Sequence, residues 1–266
     1  MNWLTPYLWP HAQRALLSQF ALRDLQSRFR QSFLGLAWLI LIPLLTLAVY
    51  TLVFRFIFES RWGQESSTMG FAFRLFLGLA LFNLVSECLM RAPRIISEQP
   101  NLVKKVRFPL AILIWSQLLV ALVQCAVALL LLFIGLWWDL GTPPWTILAM
   151  PLILIPLMYL ILGLSWALAA IGVYIRDTQQ IIGLLLSLLL FLSPIFYPLA
   201  ALPSNWQAWM QLNLLTYWIE TARQLVFTQV WPDWGVYLLM CAMSLGIAAF
   251  GALVFEKTRE GFADVL

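Results

Sequence analysis

Six long apolar runs, separated by short polar segments, set the rhythm of this chain. They are Leu34–Phe54, Phe71–Met90, Leu110–Trp138, Ile147–Ile175, Ile181–Tyr197 and Val236–Phe255. Crossing the roughly 30 Å hydrocarbon core takes about 20 apolar residues in a helix. Five of the runs meet that length. The fifth in order has about 17 residues, roughly 26 Å at 1.5 Å per residue, and carries Pro194 and Pro198 at its end. Backbone groups in lipid must bond within their own segment, so continuous apolar runs predict helices. Alternating runs would have predicted a barrel.

Two other segments break this rhythm. In residues 11–33, Gln19, Arg23, Gln26 and Arg30 form one polar stripe at helical spacing, with Leu22, Leu25 and Phe29 beside it. That pattern predicts an amphipathic helix lying along the membrane surface. Residues 198–235 are too apolar for a free loop and too interrupted by Pro203, Asn205, Asn213 and Pro232 to cross. Two readings stand for this segment: short helices dipping into the outer leaflet, or an interfacial anchor.

Composition agrees with a lipid solvent. Hydrophobic residues make up 62% of the 266 residues and charged residues 11%, with mean hydropathy +0.87, against about 25% charged in a soluble domain. No linker divides the chain, which predicts a single domain over 1–266. Nothing in the first 33 residues matches a secretory signal, since four arginines precede the first apolar run, which has full spanning length. With six spans both termini share a side, and the basic residues choose it. Placing the N-terminus inside puts twelve of the 16 Lys and Arg residues in inner segments, leaving Arg55, Arg61, Arg74 and Arg223. Both termini are therefore expected to be cytoplasmic. Trp137, Trp138 and Trp145 flank one outer loop, and Trp206, Trp209, Trp218, Trp231 and Trp234 crowd another, as suits rings in the headgroup layer. A net charge of +4, scattered in this way, gives no reason to expect nucleic acid.

Candidate chemistry is sparse. The single histidine, His11, has no triad or HExxH context, and no GxxxxGK[ST] phosphate loop occurs. Cys88, Cys125 and Cys241 lie in apolar runs without metal-ligand spacing, so no metal is expected. Glu87, near the end of span two, is an intramembrane carboxylate and so a functional candidate. The alternative pairs it with Arg91 at i+4. The inner segment 91–109 carries five basic residues and Glu98, and Ile95–Val103 suits a short helix parallel to the membrane. It reads either as positive-inside anchoring or as a docking site for a cytoplasmic partner. Tyr50, Tyr159 and Trp166, inside the spans, either pack against neighbours or offer stacking faces to a sugar.

Several segments resemble, in order, the permeases of polysaccharide-exporting ABC transporters, chiefly those for O-antigen and teichoic acid. They are RDLQSRFRQSFLGLAWLILIPLL (Arg23–Leu45), NLVKKVRFP (Asn101–Pro109), YIRDTQQII (Tyr174–Ile182), FLSPIFYPLAALP (Phe191–Pro203) and GFADVL (Gly261–Leu266). The resemblance implies an all-α inner-membrane protein with six spans, an amphipathic N-terminal interface helix and short re-entrant periplasmic helices between spans five and six. It implies pairing with a second copy, and two copies of a cytoplasmic ATP-binding subunit that hold the ATP and Mg. It further implies export of a lipid-linked, undecaprenyl-type polysaccharide. The N-terminal helix with Arg23, Arg28 and Arg30 would be a gate. Glu98, Gln99, Pro100, Asn101 and Leu102, with Arg176 and Asp177, would couple to the ATPase. Pro194, Pro198, Trp206, Trp209, Glu220 and Arg223 would belong to the periplasmic gate. Other readings are a permease of the same fold for a drug or simple lipid, a membrane-embedded enzyme on lipid-linked sugars, and an assembly subunit.

Overall fold

A computed structural model describes residues 5–8, 10–29, 32–56, 68–104, 108–141, 145–199, 202–211 and 213–266. These residues form helices α1 (Thr5–Leu8), α2 (Arg14–Phe29), α3 (Trp38–Phe56), α4 (Thr68–Arg91), α5 (Pro100–Val103), α6 (Ala111–Leu140), α7 (Met150–Tyr174), α8 (Thr178–Leu192), α9 (Ser204–Gln211), α10 (Leu214–Arg223), α11 (Trp234–Thr258) and α12 (Phe262–Val265). No strand occurs among them.

Five helices are long and apolar enough to cross a membrane: α3, α4, α6, α7 and α11. The fifth apolar run gives α8, a 15-residue helix that starts and stops earlier than Ile181–Tyr197. The cause of its early end lies in Pro194. A residue before proline is pushed out of the helical region, and Ser193 is extended, with φ −93° and ψ 143°. Pro43 in α3 and Pro156 in α7 are accommodated inside their helices.

The bundle is built around α4, the most buried of the spans, which packs on α3, α6, α7, α8 and α10. The most extensive contact joins α7 and α11. Their backbones meet at Gly163 and Gly251, where a Cβ on either glycine would run into the other helix's carbonyl groups. Without a hydrophobic drive between lipid-solvated helices, such close approach is what dispersion packing needs. At the other extreme, no residue in the apolar window of α3 is buried.

Helix α2 packs on α6. Gln19, Arg23 and Gln26 of its expected polar stripe are exposed, and Arg30 lies outside the described residues. Of the expected apolar stripe, Leu22 is 56% exposed and Leu25 is half-buried, and the side chain of Phe29 lies outside the described residues. The protein-facing side carries Leu17, Phe20, Asp24 and Arg28. Arg28 is drawn toward α4 rather than held outward.

Candidate functional site

One end of the bundle, which carries the 91–109 segment, is knit from three chain segments. Span α4 ends at Arg91 and continues through a 3-10 turn, Ala92–Arg94, into turns that lead to α5. Pro100 stands at the first position of α5, where its missing N–H costs nothing. One side of this segment is anchored, since Ala92, Ile95 and Ile96 are buried and Leu102 and Val103 pack on the core. Pro93 lies so close to Gly172 of α7 that a Cβ there would overlap its carbonyl. The opposite side is polar, with Arg94, Glu98, Asn101 and Lys104 all exposed. Gln99, Pro100 and Leu102 are half-buried between the two. Arg176 and Asp177, exposed in the α7–α8 turn, lie at this same end of the bundle, where the Ala92–Arg94 turn touches both α7 and α8.

The C-terminal segment braces the arrangement. Helix α12 packs on α5 and α7. Phe262 is fully buried between Phe255, at 5.5 Å, and Tyr174, at 6.1 Å between ring centroids. The Tyr174 hydroxyl donates to the Thr258 carbonyl at 3.1 Å. Near the other terminus Tyr7 is buried beside Trp166, with ring centroids 5.4 Å apart and edge to face. The Tyr7 hydroxyl donates to Glu256, and its carbonyl accepts from Trp115 Nε1 at 2.7 Å. Burial, and then the hydrogen bond to Glu256, push the phenol pKa up, so Tyr7 serves as an uncharged donor. Phe262 and Tyr7 carried no expectation from the sequence. GFADVL was recognisable as a motif, but its contact with α5 is tertiary.

A polar network ties α2 to α4. Arg91 forks onto Asp24, with Nη1 to Oδ2 at 2.7 Å and Nη2 to Oδ1 at 2.8 Å. Arg28 pairs with Glu87 and reaches Asp24 at 3.3 Å. Gln124 sits alongside, its amide oriented to donate to Glu87 and accept from Arg28. The expected Glu87–Arg91 pair is therefore replaced by two pairs to another helix. An i,i+4 rule sees only partners on the same helix, and α2 supplies better-placed ones.

At the opposite end Arg223 is buried and gathers backbone acceptors. Its guanidinium donates to the carbonyls of Pro194, of Ile195 at 2.8 Å and of Arg74 at 3.2 Å, and to Glu220 at 2.7 Å. The expected i,i+3 pair of Glu220 and Arg223 is present. Burial lowers the Arg223 pKa, and Glu220 opposes that shift. Asn213, expected to interrupt, caps α10 by accepting from the Leu215 N–H at 3.0 Å. Pro198 follows the break at Pro194 and is half-buried. Trp206 and Trp209 are 61% and 72% exposed on α9, as expected for headgroup rings. Trp218 is not, being fully buried in the core.

The three candidate stacking residues separate. Trp166 is fully buried against Tyr7, so it presents no face to a cargo. Tyr159 is partly buried on the core. Tyr50 lines a cavity of about 460 Å³ between α3, α4 and α8, with Thr46 and Asn83.

Among the described residues, an all-helical bundle with five helices long and apolar enough to span, a polar loop and a helix docked beside it defines a multi-pass membrane protein. Residues 16–227 match the model of the ABC-2 type transporter family, and the chain belongs to that family. It is 30% identical to the O-antigen export system permease protein RfbA of Myxococcus xanthus, over 94% of this chain and 95% of that protein. It is 26% identical to the polysialic acid transport protein KpsM of Escherichia coli, over 93% and 95%. A Klebsiella pneumoniae O-antigen export permease shares 20% over 92% of each chain.

Proposed function

We propose that this chain is the transmembrane subunit of an ABC exporter that moves a lipid-linked polysaccharide across the bacterial inner membrane. The observation that carries this reading is the end-to-end similarity to an O-antigen export permease at 30% identity. In this reading α8 is the fifth span, completed by Ser193 and the turn after it, and both termini are cytoplasmic. Two copies assemble with two copies of a separate ATP-binding subunit, which holds ATP and Mg and does all the hydrolysis. The chain itself catalyses no reaction.

The exposed row Glu98, Asn101 and Lys104, flanked by Gln99, Pro100 and Leu102, meets that subunit. Arg176 and Asp177 supply a second contact beside it. Helix α2, with Arg23 at the headgroups, gates the cytoplasmic entrance. Helices α9 and α10 re-enter the outer leaflet and close the exit, and their aromatic rings hold them there. Tyr50, with Tyr159 deeper in the bundle, faces the cargo.

The test is transfer of a lipid-linked glycan by the permease–ATPase complex reconstituted in vesicles. ATP-dependent appearance of glycan on the opposite face is expected. Equal or better transfer of a drug or a plain phospholipid, with no glycan movement, would overturn the reading in favour of the same-fold alternative.

A further inference from the structure

One residue belongs both to span α4 and to the segment read above as the ATPase contact. Arg91 closes α4, and the next residue opens the Ala92–Arg94 turn that sits on Gly172. Its guanidinium is held by both oxygens of Asp24, at 2.7 and 2.8 Å, from the protein-facing side of α2. A fork of this kind fixes distance and orientation together, which a single hydrogen bond cannot do. Asp24 is itself braced by Arg28 at 3.3 Å, and Arg28 reaches Glu87, one turn before Arg91. Two carboxylates and two guanidiniums thus alternate across the α2–α4 contact with no net charge. The side chains of Asp24 and Arg91 are 16% and 34% exposed, so water screens the pair only partly.

Adhesion alone does not call for this arrangement. Leu17 and Phe20 already dock α2 on the core, and an apolar contact stabilises as well as an ion pair does in such a place. An ion-paired fork differs in that it transmits a pull as well as a push. Room for movement lies alongside. A cavity of about 290 Å³ borders the pair, walled by Phe20, Ser27, Gln99, Ser116 and Gln117. The Gln117 side-chain oxygen there is buried and has no hydrogen-bond partner among the described residues. The wall at Gln99 belongs to the coupling segment and the wall at Phe20 to α2, so joint motion of these two elements against Ser116 and Gln117 of α6 has space to occur.

We propose that the Asp24–Arg91 pair is the linkage that passes displacement of the coupling segment to α2, so that the two move as one unit. Asp24 and Arg91 are positioning residues in this scheme and touch neither ATP nor glycan. The inference rests on the reading of segment 91–109, through its row Glu98, Asn101 and Lys104, as the ATPase contact.

The test uses the permease–ATPase complex in vesicles and records ATP hydrolysed and glycan exported in the same sample. Asp24→Asn keeps side-chain size and removes the charge. Membrane insertion, ATPase binding and ATP hydrolysis should persist, while glycan exported per ATP falls about 2- to 30-fold, the range of linkage energies carried by single network residues. An unchanged ratio overturns the linkage. A second variant, Asp24→Cys with Arg91→Cys in a background of Cys88→Ala, Cys125→Ala and Cys241→Ala, decides the matter independently of how Asp24→Asn folds. It should be uncoupled as purified and recover when a short bifunctional thiol reagent bridges the two positions. Failure to recover, or loss of residual export on bridging, overturns the proposal. A wild-type complex that moves no glycan would instead sink the proposed function. A Glu98→Cys variant that cannot be cross-linked to the ATPase would sink the coupling-segment reading alone.

Discussion

Four acceptors converge on the guanidinium of Arg223: the carbonyls of Arg74, Pro194 and Ile195, and the Glu220 carboxylate. Two of these carbonyls belong to the break after α8, where proline and extended backbone leave the chain without helical partners. The arginine thereby substitutes for the hydrogen bonds that the end of the fifth apolar run cannot make to itself. Gly78 belongs to the same construction, since a Cβ there would stand 2.8 Å from Arg223 Nη2. Arg223→Met should therefore lower stability by about 3–5 kcal/mol, the cost of removing one partner from a buried charge pair. Arg223→Lys should recover little of it, because an ammonium lacks the planar fork. Gly78→Ala should be destabilising in the same direction, because the atom it meets is pinned by its partners and cannot swing aside. Apparent melting temperature in detergent, with size-exclusion profiles, reads all three. A Gly78→Ala protein as stable as wild type would show that the guanidinium has freedom the geometry denies it.

At the level of elements, the spans were legible in the sequence because lipid demands continuous apolarity and nothing else in the chain meets that demand. The short helix expected over Ile95–Val103 forms only at its end, as α5 from Pro100, and turns take the place of its first half. What could not be read was which side of a helix meets its neighbour. For α2 the polar stripe Gln19, Arg23 and Gln26 was correctly outward, but the buried side mixes Leu17 and Phe20 with Asp24 and Arg28. Periodicity could not single out Asp24 or Arg28 as facing the protein. The partner of Glu87 was hidden for the same reason, and so was the burial of Trp166 and Trp218, since a tryptophan in an apolar run looks the same whether it faces lipid or core. The contact of α12 with α5 is equally tertiary, and it carries a prediction. Phe262→Ala removes a fully buried ring from beneath the coupling segment and should cost about 3–5 kcal/mol. Gly172→Ala should act on the same segment from its other side, because the obstacle is the Pro93 backbone rather than a flexible side chain. Both variants should insert in the membrane and bind the ATPase subunit more weakly, which co-purification measures. Wild-type affinity in both would show that the polar row holds its position without either support.

For the molecule as a whole, the distribution of basic residues favours one orientation in the membrane. Twelve of the 16 basic residues fall in segments that share a side if α8 crosses, and the coupling segment, the α7–α8 turn and the C-terminal helix do meet at one end of the bundle. Helix α8 spans only about 22 Å at 1.5 Å per residue, short of the roughly 30 Å core. It crosses only if the buried residues Ser193–Ile195, capped by Arg223, make up the remainder. Cysteine labelling separates the possibilities. In a background without Cys88, Cys125 and Cys241, Gln19→Cys on α2 and Asp264→Cys on α12 should react with an impermeant thiol reagent from the cytoplasmic side alone. Asp139→Cys, at the exposed end of α6, should react from the periplasmic side alone. If α8 instead turned back without crossing, the C-terminal position would label from the periplasm while Gln19→Cys did not. Inverted labelling at all three positions would leave the bundle intact, reverse the positive-inside assignment, and place the coupling segment on the side of the membrane that has no ATP.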